Sequence, residues 1–365
     1  MRETHEMSRR VAVVVAVLAV IAAACGSEPG SSLSPQDPSV PDSLGVTDGD
    51  GGLPTPPRGW RYESYHDVVV EVPESWVYDR APTTAWCIDE NPGGEPYVDT
   101  ARPYDGVEGI GCPGADAPRD AQDLSGVGAP RRYWATHVSF AAPDGPDGTA
   151  RAGKWTRTVK TVGATQITLL VEDRHEAIAE AILDSARVVA TDHNGCDASS
   201  PIQAGNFVRP SVAFDVASVA PVDAISVCQY DLGRSEGAAG LIGSRRLTGG
   251  DAAGVLGAIK DAPTGGGPDE PQNCSPDLYG STAIVLRLRS GGATNDMHVY
   301  YEWCFGNGFD DGTNVRELTK ANCEPLFAPP VKFDSGSSAP FQRCHEATAT
   351  SGSAPADAPT MSTHP

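Results

Sequence analysis

The sequence has no apolar run long enough to cross a membrane. Its longest, Val11–Ala24, holds 14 residues, short of the roughly 20 that a spanning helix requires. A retained transmembrane helix is therefore not expected. Lysine is scarce, at 5 residues against 22 arginines, and the formal net charge is −21. No stripe of basic residues interrupts that acidic excess, which argues against nucleic-acid binding. No block of five like charges occurs either, so the excess keeps the chain soluble without marking one partner surface. There is no C-x-x-C motif and no Cys/His run with zinc spacing, which excludes the common thiol-redox and structural-zinc designs. No metal and no cofactor is expected.

What is present begins at the N-terminus. Arg2, Arg9 and Arg10 precede the 14-residue apolar core, which ends in Ala22-Ala23-Ala24 directly before Cys25. A basic start, a short apolar core and small residues at its end form the pattern of a secretory signal. These residues resemble the signals of bacterial lipoproteins, which close in a four-residue lipobox ending in the lipidated cysteine. The family usually carries Leu three residues before that cysteine, where this chain has Ala22. The resemblance implies a signal peptide over residues 1–24 and lipidation, with palmitate-type acyl chains, at Cys25. It also implies residence on the outer face of the cytoplasmic membrane. One acyl chain anchors only marginally and two anchor stably, and lipoprotein-type modification would supply at least two. Residues 25–58 are dominated by Gly, Ser, Pro and Asp and predict a disordered linker. Residues 346–365, rich in Ala, Ser, Thr and Pro, predict a disordered tail.

The chain has 9 cysteines. Setting Cys25 aside leaves an even set: Cys87, Cys112, Cys196, Cys228, Cys274, Cys304, Cys323 and Cys344. That is the count expected of an exported protein with a disulfide framework. Eight cysteines allow 105 pairings. Two have local reasons: Cys87 with Cys112 across a Pro/Gly-rich loop, and Cys274 with Cys304 across a hairpin of strands Ala283–Arg289 and Met297–Trp303.

The pattern of the body predicts an α+β class: two small disulfide-stabilised sheet-plus-helix domains, at 59–190 and 191–345. In the first, Tyr62–Pro73 and Arg131–Phe140 read as strands. Trp155–Thr161 and Thr165–Val171 read as a hairpin around Val162-Gly163-Ala164. A helix follows, N-capped by Asp173, with Ile178, Ile182, Ala186 and Val189 at helical spacing. In the second, strands are expected at Val212–Val219, Ala224–Tyr230, Leu241–Leu247, Ala283–Arg289 and Met297–Cys304, with a helix over Asp251–Lys260. The segments Val72–Trp76 and Ile182–Arg187 are similar to those that open and close PsbP-like lipoproteins, a resemblance that implies fold and almost nothing about function. Cys228-Gln229-Tyr230 and the Cys274/Cys304 segment resemble a module of exported proteins from high-GC Gram-positive bacteria, which suits the arginine bias.

Several patterns could carry chemistry. Gly233-Arg234-Ser235-Glu236-Gly237 matches the serine-hydrolase elbow G-x-S-x-G. The glycines Gly237, Gly240 and Gly243 that follow suit a returning strand better than the required helix. Ser235 with Asp296 and His298 is thus the alternative, hydrolytic reading. Gly148–Lys154 resembles a phosphate loop, but Trp155 stands where Ser or Thr would ligate magnesium. Asp310–Asn314 and Asp144–Gly148 read as acidic turns lacking an EF-hand's alternating ligands. His66, His137, His175, His193, His298 and His345 share no spacing. Trp60, Tyr62 and Tyr65 could offer a stacking surface to a glycan or peptide. The reading that results is a non-catalytic, extracytoplasmic, lipid-anchored module that engages an envelope ligand or protein.

Overall fold

The computed structural model describes residues 52–79, 94–100, 134–202, 207–232, 239–271, 280–333 and 338–345. Cys25, Cys87, Cys112, Cys274 and Ser235 lie outside them, with the signal segment, most of the linker and the tail.

The Tyr62–Pro73 run is two strands, β1 (Trp60–Tyr65) and β2 (Val68–Pro73), paired from Trp60↔Pro73 to Tyr65↔Val68. The chain reverses at His66, whose φ of +48° is a left-handed conformation that non-glycine residues seldom take. β2 also pairs with β9 (Arg187–Val188), completing a three-stranded sheet.

A mixed six-stranded sheet has the order β3-β4-β5-β8-β7-β6. Its members are Val77–Asp79, Tyr97–Asp99, His137–Ala141, Thr165–Glu172, Trp155–Val162 and Gly148–Ala152. The β7–β8 hairpin turns at Gly163 as expected. Gly163 has φ +55°, and an added Cβ would lie 2.5 Å from an Asp67 carboxylate oxygen. Helix α1 (Glu176–Ser185) closes this half. It starts two residues later than the sequence indicates, because Asp173–His175 forms a 3-10 turn and His175, not Asp173, precedes the helix. It ends at Ser185 because Ala186 turns extended and Arg187 enters β9. Tyr65, Val68, Val70 and Val72 pack against Val138, Phe140, Ile167, Leu169, Ala179 and Ile182 in one core.

The second six-stranded sheet has the order β11-β10-β12-β13-β14-β15, all antiparallel. Its strands are Gly240–Thr248, Ala224–Asp231, Thr282–Ser290, Ala293–Tyr300, Gly308–Asp310 and Val315–Arg316. Helix α2 (Gly249–Asp261) covers one face through Ala252, Val255, Leu256 and Ile259. They meet Ile225, Val227, Leu286, Leu288, Met297 and Val299. Short helices α3 (Lys320–Cys323) and α4 (Ala339–His345) are joined by the Cys323–Cys344 disulfide. The other face packs Tyr230, Leu241, Val285, Tyr300 and Trp303 around the Cys196–Cys228 disulfide.

Three further expected strands need correction, the first being Arg131–Phe140, whose strand runs from His137 to Ala141 while Trp134–Thr136 stay outside it. Val212–Val219 holds no strand: Asp215 accepts the Ala217 N–H and starts a 3-10 turn at Val216–Ser218. Phe214 contributes only an isolated bridge to Gly312. The strand placed at Met297–Cys304 runs instead from Ala293 to Tyr300, because Gly291 and Gly292, both at positive φ, make the turn just before it. Tyr301–Cys304 leave the sheet, and Asn307 caps the Trp303 N–H. Cys304 is disulfide-bonded, and Cys274, expected as its partner, lies outside the described residues.

The described residues belong to one compact unit. Strand β11 serves both cores: Ile242 joins the β1–β2/α1 core, while Leu247 joins the α2 core. The His66 N–H donates to the Leu241 carbonyl at 2.5 Å, and the Leu241 N–H donates to Ala198 at 3.1 Å.

Candidate functional site

Along the seam where β1 meets β11 lies a groove of about 460 Å³. One wall is β1 with Tyr78 of β3. The facing wall is His193 and Asn194, with Ser244–Arg246 of β11 and Pro329-Pro330.

Alternation along β1 sends Arg61, Glu63 and Tyr65 to one side and Trp60, Tyr62 and Ser64 to the other. Tyr65 goes into the core, stacked on His66 at 4.2 Å and near Phe140 at 6.2 Å. Of the three aromatics that could offer a stacking surface, Trp60 and Tyr62 line the groove, Trp60 also packing on the first core, and Tyr65 lies within that core. Tyr78 takes the third aromatic place.

The groove's charge centre is Glu63, 1% exposed. Its carboxylate accepts from Arg61 Nε at 2.9 Å and from the Tyr78 hydroxyl at 2.5 Å. The Arg61 guanidinium lies over the Tyr78 ring, 4.6 Å from its centroid, a cation–π contact. Burial opposes the charge on Arg61, but Glu63 and Tyr78 more than offset this and its pKa ends above the ordinary value. Burial, then the Glu63 charge, pushes the Tyr78 phenol up, so it stays a protonated donor. Arg61 Nη1 donates to the carbonyls of Pro73, Glu74 and Trp76, while its Nη2 is buried with no partner among the described residues.

A second network crosses the seam. Asp192 accepts from the Asn194 and Cys196 N–H groups and from the Ser244 hydroxyl. Asn194 Nδ2 reaches Ser244 Oγ at 2.9 Å. His193 Nδ1 faces Ser64 Oγ at 3.2 Å and Asp192 at 3.8 Å. Ser, His and Asp thus meet, but not as a catalytic relay: serine and aspartate face the same ring nitrogen, whereas a relay uses opposite ones. Ser64 is also 3% exposed. Burial lowers the His193 pKa despite Asp192 and Glu63.

The last part of the expected linker is ordered here. Leu53, Pro54, Thr55 and Pro56 line the groove, and the Tyr62 hydroxyl donates to the Pro54 carbonyl at 2.5 Å.

The remaining sequence candidates are dispersed or already satisfied. Ser235 lies outside the described residues. The strands flanking it, β10 and β11, run antiparallel, and β11 is the returning strand that the glycines indicate. Asp296 accepts from Arg287, and His298 Nδ1 donates to the Val208 carbonyl. Both line a larger cleft of about 770 Å³. Its charges are largely spent on one another: Arg287 bridges Asp197 and Asp296, and Arg209 forks onto Asp310. The Asp310–Asn314 turn uses its carboxylates internally, Asp310 on Gly312 N–H and Asp311 on Thr313, Asn314 and Val216 N–H. Asp147 accepts the Thr161 N–H in the same way. Gly148–Lys154 is strand β6 and a turn, with Lys154 paired to Glu172. Among the described residues no group of three or more His, Cys, Asp or Glu could hold a metal ion, and no helix is long and apolar enough to cross a membrane. At the seam the His66 ring packs against Gly240 and His193 sits beside Ser64; His137, His175 and His345 bond elsewhere, to Ala135, Thr136 and Phe341.

No protein-family model, curated protein or solved structure matches this chain.

Proposed function

We propose that this is an exported, lipid-anchored, non-catalytic binding protein that captures an extended ligand in the seam groove at the outer face of the cytoplasmic membrane. The observation that carries the binding reading is one groove lined by Trp60, Tyr62 and Tyr78, in which Arg61 and Tyr78 meet the buried Glu63 carboxylate. Aromatic bodies supply contact area, and a few fixed polar groups supply orientation. The anchor reading rests on the basic start, the 14-residue apolar core and Cys25. The Cys196–Cys228 and Cys323–Cys344 bonds suit an oxidising compartment.

Mass spectrometry of protein isolated from native membranes should find acylated Cys25 as the first residue, and Cys25→Ala should shift the protein to the medium. Native mass spectrometry of the same material should find a co-purifying ligand that Trp60→Ala loses. Covalent labelling of Ser235 by a fluorophosphonate would instead establish the hydrolase.

A further inference from the structure

The groove already holds a stretch of its own chain, and the chemistry of that stretch indicates what else fits there. Resting on the groove-binding reading, we propose that the ligand class is a proline-rich extended peptide, and that Leu53–Pro57 is a built-in strap occupying part of its site.

Pro54, Pro56 and Pro57 fix φ near −65° and carry no N–H. Each also pushes the residue before it toward extended or polyproline II backbone. All five strap residues are therefore biased to polyproline II: Pro54, Pro56 and Pro57 by their own rings, and Leu53, Thr55 and Pro56 by a following proline. That helix has three residues per turn and no internal hydrogen bonds. Burial follows the same period: Leu53 and Pro56 are half-buried, whereas Pro54, Thr55 and Pro57 are exposed. Strand pairing would give a period of two. The strap thus sets one edge of a three-fold ridge into the groove.

The recognition chemistry matches. Polyproline segments leave their carbonyls unpaired and dock in aromatic-lined grooves. Here the Tyr62 hydroxyl takes the Pro54 carbonyl, while the Pro57 carbonyl accepts the backbone N–H of Trp60 at 3.0 Å in the turn that leads into β1. Arg61 brings a buried Nη2 that no described acceptor uses. Pro329-Pro330 forms the far wall, and about 460 Å³ remains between it and the strap. The strap is continuous with β1, so it competes at the high effective concentration of a tethered segment. A peptide in solution has to displace it.

The test uses the full chain and a fluorescein-labelled peptide of residues 51–58, with a control in which its three prolines are alanine. The variant carrying Leu53→Ser, Pro54→Ser and Pro56→Ser is expected to bind the proline peptide at least tenfold more tightly than the unmodified protein. Adding Trp60→Ala should cancel that gain, and the control peptide should bind at least tenfold more weakly. Should the strap variant fail to fold, the unmodified protein answers through trypsin: excess proline peptide should speed cleavage after Arg58 severalfold. The proposal is overturned if the folded variant ignores the peptide, if the control binds equally well, or if cleavage after Arg58 does not change. In any of those cases, a co-purifying ligand that still depends on Trp60 would leave the groove reading standing and refute only the proline-rich class.

Discussion

Glu63 shows how one buried charge organises a site. Its carboxylate sits among a guanidinium, a phenol and a strand backbone, 1% exposed. Removing it leaves Arg61 charged and half-buried, held by main-chain carbonyls and the Tyr78 ring alone among the described residues, and takes the Glu63 acceptor from the Tyr78 hydroxyl. Glu63→Ala should therefore cost about 2–3 kcal/mol in urea unfolding. This cost lies at the low end for a broken buried pair because Arg61 retains 22% exposure. Glu63→Gln, which keeps an acceptor oxygen, should cost less. Arg61 and Glu63 are two residues apart on one strand, so their pairing is visible in the sequence. Tyr78 is not: it reaches Glu63 only because β3 is held beside β1.

At the scale of the element, the β1–β2 hairpin is the instructive case. The hairpin at Val162-Gly163-Ala164 is legible because a glycine marks its left-handed residue. The turn at His66-Asp67 has no such mark, so Tyr62–Pro73 reads as one strand. What holds it is tertiary: the His66 N–H on Leu241, the Asp67 carboxylate on the Ala164 N–H, and the Asp67 carbonyl on Val189. His66 is 5% exposed, and an added Cβ at Gly240 would lie 2.7 Å from its ring. Burial lowers its pKa from the ordinary 6.5, against the pull of Asp67, and His193 across the same seam is lowered too. Below pH 6.5 the unfolded chain takes up protons that the folded seam refuses, so stability is present above that pH and is lost as pH falls through it. The urea midpoint should drop between pH 7 and pH 5. His66→Asn, which tolerates the left-handed backbone, should flatten that dependence. The same dependence on context explains Val212–Val219: its β-branched residues read as a strand, but the Asp215 and Asp311 carboxylates claim its N–H groups.

For the whole molecule, the sequence conveys class better than assembly. Sheets with a few helices, and disulfides stapling them, follow from period-two runs, two amphipathic helices and the cysteine count. The groove does not follow, because residues near 54, 62, 78, 193, 245 and 330 meet only after β11 docks on the hairpin. The prolines of the strap read as linker for the same reason: only a partner surface distinguishes a docked polyproline segment from a free one. Since Ile242 of β11 is buried in the first core while its neighbours on the strand complete the second sheet, the two halves should unfold together. Calorimetry should show a single transition. Ile242→Ala should lower it by the several degrees that about 2–4 kcal/mol implies for a core truncation, and hydrogen exchange should quicken in both halves at once.

The strap bears on mechanics as well as on binding. Any pull arriving along the N-terminal chain enters the body at Leu53–Pro57 and passes through the Tyr62 grip into β1. From β1 it reaches the hairpin, whose tip is tied to β11. Tension would work on the strap before the sheets behind it, so a tug on the chain ahead of Leu53 would bare the groove before either core gave way.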